Sequence, residues 1–297
     1  MEVRTIDLNF LGIKEAIASY IVVTEEGLLM VESGPHSTYA FLEQKLQKLG
    51  YSIKDVKKVL LTHIHLDHAG AAWALAEQGA EVYVHPFGYK HLADPSKLMA
   101  SAARIYKDDM DRLWGKMKAI PEDILHAVDD GETVRFGGKS FKAHFTPGHA
   151  VHHIAWQVDN VLFTGDVAGV KIGKDGMVVP PCPPPDINVE DWRSSIEKVK
   201  GLDVDTLYLT HFGKVENKVE HLNHLEETLL SWADWMKPKF ENSEEVSAII
   251  PEFKAFVNQQ LLDFGVAEQD LNKYEAANPS FMSVTGLLRY WKKKASH

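Results

Sequence analysis

Two short apolar runs, Ser19-Tyr20-Ile21-Val22-Val23 and Leu28-Leu29-Met30-Val31, flank Glu25-Glu26-Gly27, and this pattern predicts a β-hairpin. Phe41, Leu42, Leu46 and Leu49 then recur at helical spacing up to Gly50, and the apolar strand Val59-Leu60-Leu61 follows. A second helix is expected from about Ala69 to Gln78, ending at Gly79 and leading into the strand Glu81-Val82-Tyr83-Val84. From about 86 to 125 strand signals stop, and Leu98, Ala102, Ile105, Met110, Leu113, Trp114 and Met117 give near-helical spacing, so a helical insertion is predicted. Strands resume with Thr133–Phe136, Phe141–Phe145, Ile154–Val158 and Val161–Phe163, joined by Gly137-Gly138 and Asp159-Asn160 turns. The run Pro180-Pro181-Cys182-Pro183-Pro184-Pro185 is read as an extended loop. Beyond Thr210 the pattern is helical, with two to four helices over 219–295 broken at Pro238 and Pro251. No Gly/Ser linker precedes them, so they are expected to pack on the core.

Composition narrows the class. A chain of 297 residues with 45% hydrophobic content can bury a large core. No apolar run is long enough to span a bilayer, and the start lacks a signal-peptide layout, so a soluble protein without a membrane role is expected. A single cysteine, Cys182, rules out an intrachain disulfide and points to a reducing, cytoplasmic compartment. The formal charge of -10 argues against nucleic acid as a partner, and Lys292-Lys293-Lys294 is read as a solvated end. The oligomeric state stays open, a homodimer included. Fifteen histidines are the oddity, and their placement becomes the question.

Four times a short apolar strand reaches a threonine and a candidate ligand follows: Leu61-Thr62-His63, Phe145-Thr146-Pro147-Gly148-His149, Phe163-Thr164-Gly165-Asp166 and Leu209-Thr210-His211. Ligands gather beyond strand ends in sheet-based folds, so the four endings are expected to converge. The first is richest, since His63-x-His65-x-Asp67-His68 puts four ligand types into six residues. His63, His65 and His149 could face one metal, Asp67, His68 and His211 a second, and Asp166 could bridge both. Imidazole and carboxylate suit zinc first, with iron or manganese as alternatives. A lone strand-end histidine is ordinarily packed, but this crowding of imidazoles has no purpose unless a cation joins them.

The stretch Thr62-His63-Ile64-His65-Leu66-Asp67-His68-Ala69-Gly70 resembles the first motif of the metallo-β-lactamase superfamily, and Thr146-Pro147-Gly148-His149, Thr164-Gly165-Asp166 and Thr210-His211 resemble its later motifs. Order and spacing agree over residues 15–213. Glu32-Ser33-Gly34 is similar to the family's Asp-Thr-Gly-like turn, with glutamate where aspartate is usual. The resemblance implies an α/β fold, the αββα sandwich, with two divalent metal ions held by His63, His65, Asp67, His68, His149, Asp166 and His211. It places a catalytic domain over 1–215 and a C-terminal helical extension over 216–297. The thioester hydrolases resembling glyoxalase II, the acyl-homoserine lactonases and the quinolone-signal thioesterases are nearest in pattern.

The expected chemistry is hydrolysis of a small ester, thioester or lactone. A water between two cations loses a proton near neutral pH and can attack the acyl carbonyl, with Asp67 passing a proton to the leaving group. The alternatives are a mononuclear iron enzyme like the persulfide dioxygenases and a ligand-binding regulatory protein with an occluded site. His153 is read as a support for the ligands, and His85, His144 and His152 as packing residues. Tyr106, Met110 and Trp114 are candidates for a pocket wall or for core. His221 and His224 are read as a solvated helix face, the proline loop as a rim, and Cys182 as a candidate nucleophile or thiol sensor.

Overall fold

Strands with apolar side chains on both faces need cover on both, and the molecule is layered accordingly. The computed structural model describes residues 1–296. The first sheet holds β1 (Glu2–Asp7), β2 (Ala18–Thr24), β3 (Gly27–Val31), β4 (Val56–Leu60), β5 (Glu81–Val84) and β6 (Leu125–Ala127), in that order. β1, β2 and β3 are antiparallel, and β3 to β6 run parallel. The second sheet comprises β7 (Thr133–Phe136), β8 (Lys139–Phe145), β9 (Ile154–Val158), β10 (Val161–Lys171), β11 (Val178–Val179), β12 (Thr206–His211) and β13 (Gly213–Val215). Its order is β13-β12-β10-β9-β8-β7, with β11 paired to β10.

The period of two sorts the side chains. Ala18, Tyr20 and Val22 of β2 and Leu29 and Val31 of β3 meet Phe141, Trp156 and Phe163 of the second sheet between the layers. Their alternates Ile21, Leu28 and Met30 face outward onto Leu42 and Leu46 of α1 (Tyr39–Lys48) and Trp73 and Leu75. This is the αββα sandwich expected from the sequence.

The predicted helix 69–78 is two short pieces, α2 (Leu66–Ala69) and α3 (Ala72–Ala76). The Ala71 N–H donates to Gly34 O at 2.9 Å, so that hydrogen bond leaves the helix and ends it. The insertion forms α4 (Pro86–Ala93), α5 (Ser96–Tyr106) and α6 (Met110–Leu113), and the chain then runs without regular structure to β6. β6 was not predicted, because three residues are too few for an alternation to show. Also unpredicted is α7 (Val189–Gly201), which buries Trp192, Ser195, Ile196 and Val199 against the second sheet and is capped by Asn188, whose side chain accepts from Asp191 N at 3.0 Å.

Four helices follow: α8 (Lys218–Glu241), α9 (Val246–Phe264), α10 (Leu271–Ala277) and α11 (Ser280–Lys294). Leu222, Leu225, Leu229, Phe253, Val284 and Leu287 from them join the cluster on the outer face of the second sheet. Pro238 and Pro251, expected as breaks, lie inside α8 and α9. Each is within two turns of a helix end, where a missing N–H disturbs one terminal turn only. The real breaks are Asn242–Glu245, with Ser243 at φ 53°, and Gly265 at φ 103°, the left-handed cap of α9. Among the described residues no helix is long and apolar enough to cross a membrane.

Candidate metal centre

The four threonine endings do converge. β4 delivers His63 and His65, α2 brings Asp67 and His68, the β8–β9 connection brings His149, β10 carries Asp166 and β12 ends on His211. All seven meet at one place between the edges of the two sheets. The threonines hold the framework: Thr62 and Thr210 hydroxyls both donate to Glu32, and Thr146 Oγ1 lies 2.8 Å from His153 Nδ1. His153 Nε2 in turn accepts the Asp166 backbone N–H at 3.1 Å, so this histidine supports a candidate ligand as expected.

Two glycines in the motifs are there for space. A Cβ on Gly165 (φ 50°) would sit 2.4 Å from Thr62 Oγ1, and one on Gly148 (φ 132°) 2.2 Å from the Trp192 Cα. Either would push Asp166 or His149 out of place.

Outer partners fix which imidazole nitrogen points inward. His149 Nδ1 donates to Pro181 O (2.8 Å), His211 Nδ1 to Ala16 O (2.7 Å) and His68 Nδ1 to Glu32 Oε1 (3.0 Å), since these acceptors carry no proton. Thr62 Oγ1 gives its proton to Glu32, so it accepts from His63 Nδ1 at 3.0 Å. The Nε2 atoms of all four rings therefore face the centre, and in the neutral ring Nε2 carries the lone pair that a metal ligand needs.

The inward atoms fall into two sets. His63 Nε2 and His149 Nε2 lie 2.9 and 3.0 Å from His65 Nδ1. Asp67 Oδ2 lies 3.6 Å from His68 Nε2 and 3.5 Å from His211 Nε2. Asp166 stands between: its Oδ2 is 3.2 Å from His149 Nε2, and its Oδ1 is 3.4 and 3.5 Å from His68 and His211 Nε2.

Electrostatics separates the sets. Burial, reinforced by neighbouring imidazoles, holds His63 well below the ordinary histidine range and His65 down at about 3. In the other set burial opposes charge, yet Asp166 and Asp67 outweigh it and raise His68 and His211, while those rings hold Asp67 down at about 2. One half thus holds neutral imidazoles that turn the Nε2 lone pairs of His63 and His149 to one point, and the other holds carboxylates that require positive charge. His68 Nε2 and Asp166 Oδ1 are moreover buried without a hydrogen-bond partner. A divalent cation in each half answers all three observations, so the donor set fits metal.

Glu32 is the residue whose weight the sequence understated. Fully buried, it accepts from Thr62 N (3.2 Å), Thr62 Oγ1, His68 Nδ1 and Thr210 Oγ1 (3.3 Å), joining the ends of β4 and β12 to the site. Its oxygens are occupied by donors, which makes it a support and not a further ligand.

Residues 13–211 match the family model of the metallo-beta-lactamase superfamily. The chain belongs to that superfamily. A metallo-beta-lactamase fold-containing protein of Sulfurisphaera tokodaii is 30% identical over 217 residues, 71% of this chain and 79% of that one. An atrochrysone carboxyl ACP thioesterase of Aspergillus fumigatus is 27% identical over 202 residues, covering 67% of this chain and 51% of the thioesterase. Among solved structures, the archaeal superfamily protein from Sulfolobus tokodaii aligns with a TM-score of 0.62 at 27% identity, over 74% of this chain and 84% of its own. A family protein from Thermus thermophilus shares the fold over 94% of this chain and 89% of its own, with a TM-score of 0.62 at 20% identity.

Above the site of this superfamily member lies a cavity of about 840 Å³, floored by His65, Asp67, His149 and Asp166. Tyr106 and Trp114 line it, while Met110 does not. The proline loop forms part of its wall through Pro181, Pro183, Pro184 and Pro185. His152, expected to be mere packing, also lines it. His85 caps α4 by accepting from Phe87 N (3.0 Å), and His144 pairs with Gln157 (2.8 Å). His221 is not on a solvated face: it is buried, with Nε2 2.7 Å from Ala168 O, because its side of α8 packs on the second sheet. The lysine tail is exposed but tied down, with Lys293 Nζ donating to Pro185 O (2.7 Å) and Lys294 paired with Glu190.

Cys182 is no nucleophile. Its side chain is fully buried, its Sγ lies 3.6 Å from Pro180 O, and burial pushes the thiol pKa up, away from the thiolate that reactivity requires. A disulfide-exchange thiol assay is expected to find no reactive thiol in the native protein and one per chain in denaturant. Rapid native labelling would refute this assignment.

Proposed function

We propose that the chain is a binuclear metal-dependent hydrolase of a small ester, thioester or lactone. The observation that carries this reading is the division of Asp166, with Oδ2 turned to the three-histidine set and Oδ1 to His68 and His211. His63, His65 and His149 would hold one ion, Asp67, His68 and His211 the other, and Asp166 would bridge them. Zinc is the metal proposed, with iron or manganese as alternatives that the same donors accept. Two such ions supply a water of lowered pKa and a Lewis acid for an acyl carbonyl.

The chain's own residues supply the rest. Asp67 commits Oδ2 to His68 and His211 and is partly exposed on the cavity floor, which leaves Oδ1 to take a proton and deliver it to the leaving group. The hydrogen bonds from Pro181, Ala16 and Glu32 fix the ring orientations. Residues 1–215 would carry the chemistry and 216–297 would help to shape the substrate cavity, in a protein we assign to the cytoplasm. The thioesterase names of fungal relatives from Aspergillus fumigatus and Emericella nidulans agree with an acyl substrate. The convergence of donors in the Asp67 half favours two metals over the single iron of a dioxygenase.

The test is a panel of aryl esters, acyl thioesters and lactones, assayed before chelation, after it, and after metal is restored. Hydrolysis of at least one class is expected, falling to background on chelation and returning with metal. Oxygen consumption with a persulfide and no acyl hydrolysis would overturn the reading.

A further inference from the structure

The cavity over the metal centre has two chemically different ends, and α5 spans them. Lys97 stands in its first turn and Tyr106 in its last, nine residues or roughly 13 Å apart at the helical rise. The Tyr106 end is aromatic. Its ring lies 5.0 Å from Trp114 and 6.2 Å from Phe281 of α11, and Trp114 stacks on Phe10 at 5.6 Å. Ile17, next to the Ala16 carbonyl that accepts from His211 Nδ1, lines the same cavity with Phe10 and Asp67, which sets the aromatic end on the side of the metal centre.

The other end is cationic through Lys90 and Lys97 at the junction of α4 and α5, with His91 beside them held below the ordinary histidine range by burial and the two lysines. Outside the metal centre, two of the three carboxylates in the same lining already have partners, and the third, Asp186, lies beside His152, which burial keeps neutral. Asp109 pairs with Arg112 at 2.9 Å, Glu275 accepts from Ser280 N and Oγ at 3.2 and 2.7 Å, and Asp186 faces His152 at 3.8 Å. Lys90 and Lys97 have no ion-pair partner among the described residues, although the chain as a whole carries -10. Along the cavity wall, large apolar side chains stand wet: Phe87 is 60% exposed, Val151 47% and Ile105 41%. Apolar surface gathered around one concavity, with convergent charge at one end, marks a ligand of matching layout.

We infer that the substrate is an extended acyl compound, with an apolar part along the cavity wall and an anionic phosphate or carboxylate held by Lys90 and Lys97, at the opposite end of α5 from Tyr106. This rests on the hydrolase reading and names its substrate class. The anion can belong to the leaving group, as on a phosphorylated pantetheine arm, or to the far end of the acyl chain.

The experiment compares octanoyl-coenzyme A, octanoyl-N-acetylcysteamine and an ω-carboxyoctanoyl-N-acetylcysteamine on the metal-loaded enzyme, with acetyl-coenzyme A as the short-chain control. The octanoyl thioester is expected to exceed the acetyl one in kcat/KM by about tenfold or more. In Lys90→Glu/Lys97→Glu, the ratio of kcat/KM for the anionic over the neutral thioester is expected to fall about tenfold, and added salt to lower it in the parent. Whichever anionic substrate responds identifies the side that bears the charge. A ratio unchanged by both the variant and salt overturns the inference. Binding of the non-hydrolysable thioether S-octyl-coenzyme A and of a dicarboxylic acid of similar length is measured beside it. If no thioester is hydrolysed but one of these binds and charge reversal weakens it, the hydrolase reading fails and the anion site stands. If neither ligand binds, the anion site fails.

Discussion

Asp166→Ala is expected to lower hydrolysis by more than about 100-fold and to deplete metal from both halves of the site. Loss of an outer partner of a metal ligand costs about 10–100-fold, and Asp166 stands closer than any outer partner. It faces both sets, with 3.2 Å to His149 Nε2 on one side and 3.4 Å to His68 Nε2 on the other. Its removal leaves His68 and His211 with only Asp67 and Glu32 to balance a second cation. Asp166→Asn keeps the shape and removes the charge, so it is expected to retain the fold and still lose metal. Kinetics and elemental analysis of the two variants check this, and an alanine variant with both metals and near-parental rates would refute it.

Glu32→Ala is expected to cost about 3–5 kcal/mol of stability, the range for breaking a buried charged network by removing one partner. Four donors from three residues in two separated segments would lose their acceptor at once: Thr62 N, Thr62 Oγ1, His68 Nδ1 and Thr210 Oγ1. Each is buried and cannot turn to water, so each carries its own desolvation penalty. Glu32→Asp restores the carboxylate that the family usually places there and is expected to lose less. Denaturant unfolding of the metal-free proteins isolates this effect from metal binding. An alanine variant within about 0.5 kcal/mol of the parent, the range of surface substitutions, would remove Glu32 from its supporting role.

The seven residues of the centre were legible in the sequence because four of them crowd into the turn after β4 and the other three each follow a strand that ends on threonine. Strand length, apolar content and a threonine are local signals. The role of those threonines was not legible, since Thr62 and Thr210 act through Glu32, 30 and 178 residues away in sequence. The sandwich could be read from alternation, but β6 could not, since its three residues become a strand only by pairing with β5. Pro238 and Pro251 misled because proline marks a helix limit only where the backbone has no terminal turn to absorb it. His221 misled for a related reason: spacing places His221 and His224 near one another, while packing on the second sheet decides which is buried. The cavity was the least legible part. Tyr106, Trp114, Pro183 and Phe281 come from three separated segments, and their meeting is a property of the tertiary fold.

Two donor sets that share Asp166 are expected to hold two ions per chain in this member of the metallo-beta-lactamase superfamily. Elemental analysis of the purified protein, reported as ions per chain, tests it most directly when Asp67→Ala and His211→Ala are measured beside the parent. Two ions are expected in the parent and fewer in both variants. One iron per chain, unchanged in both variants, would contradict it.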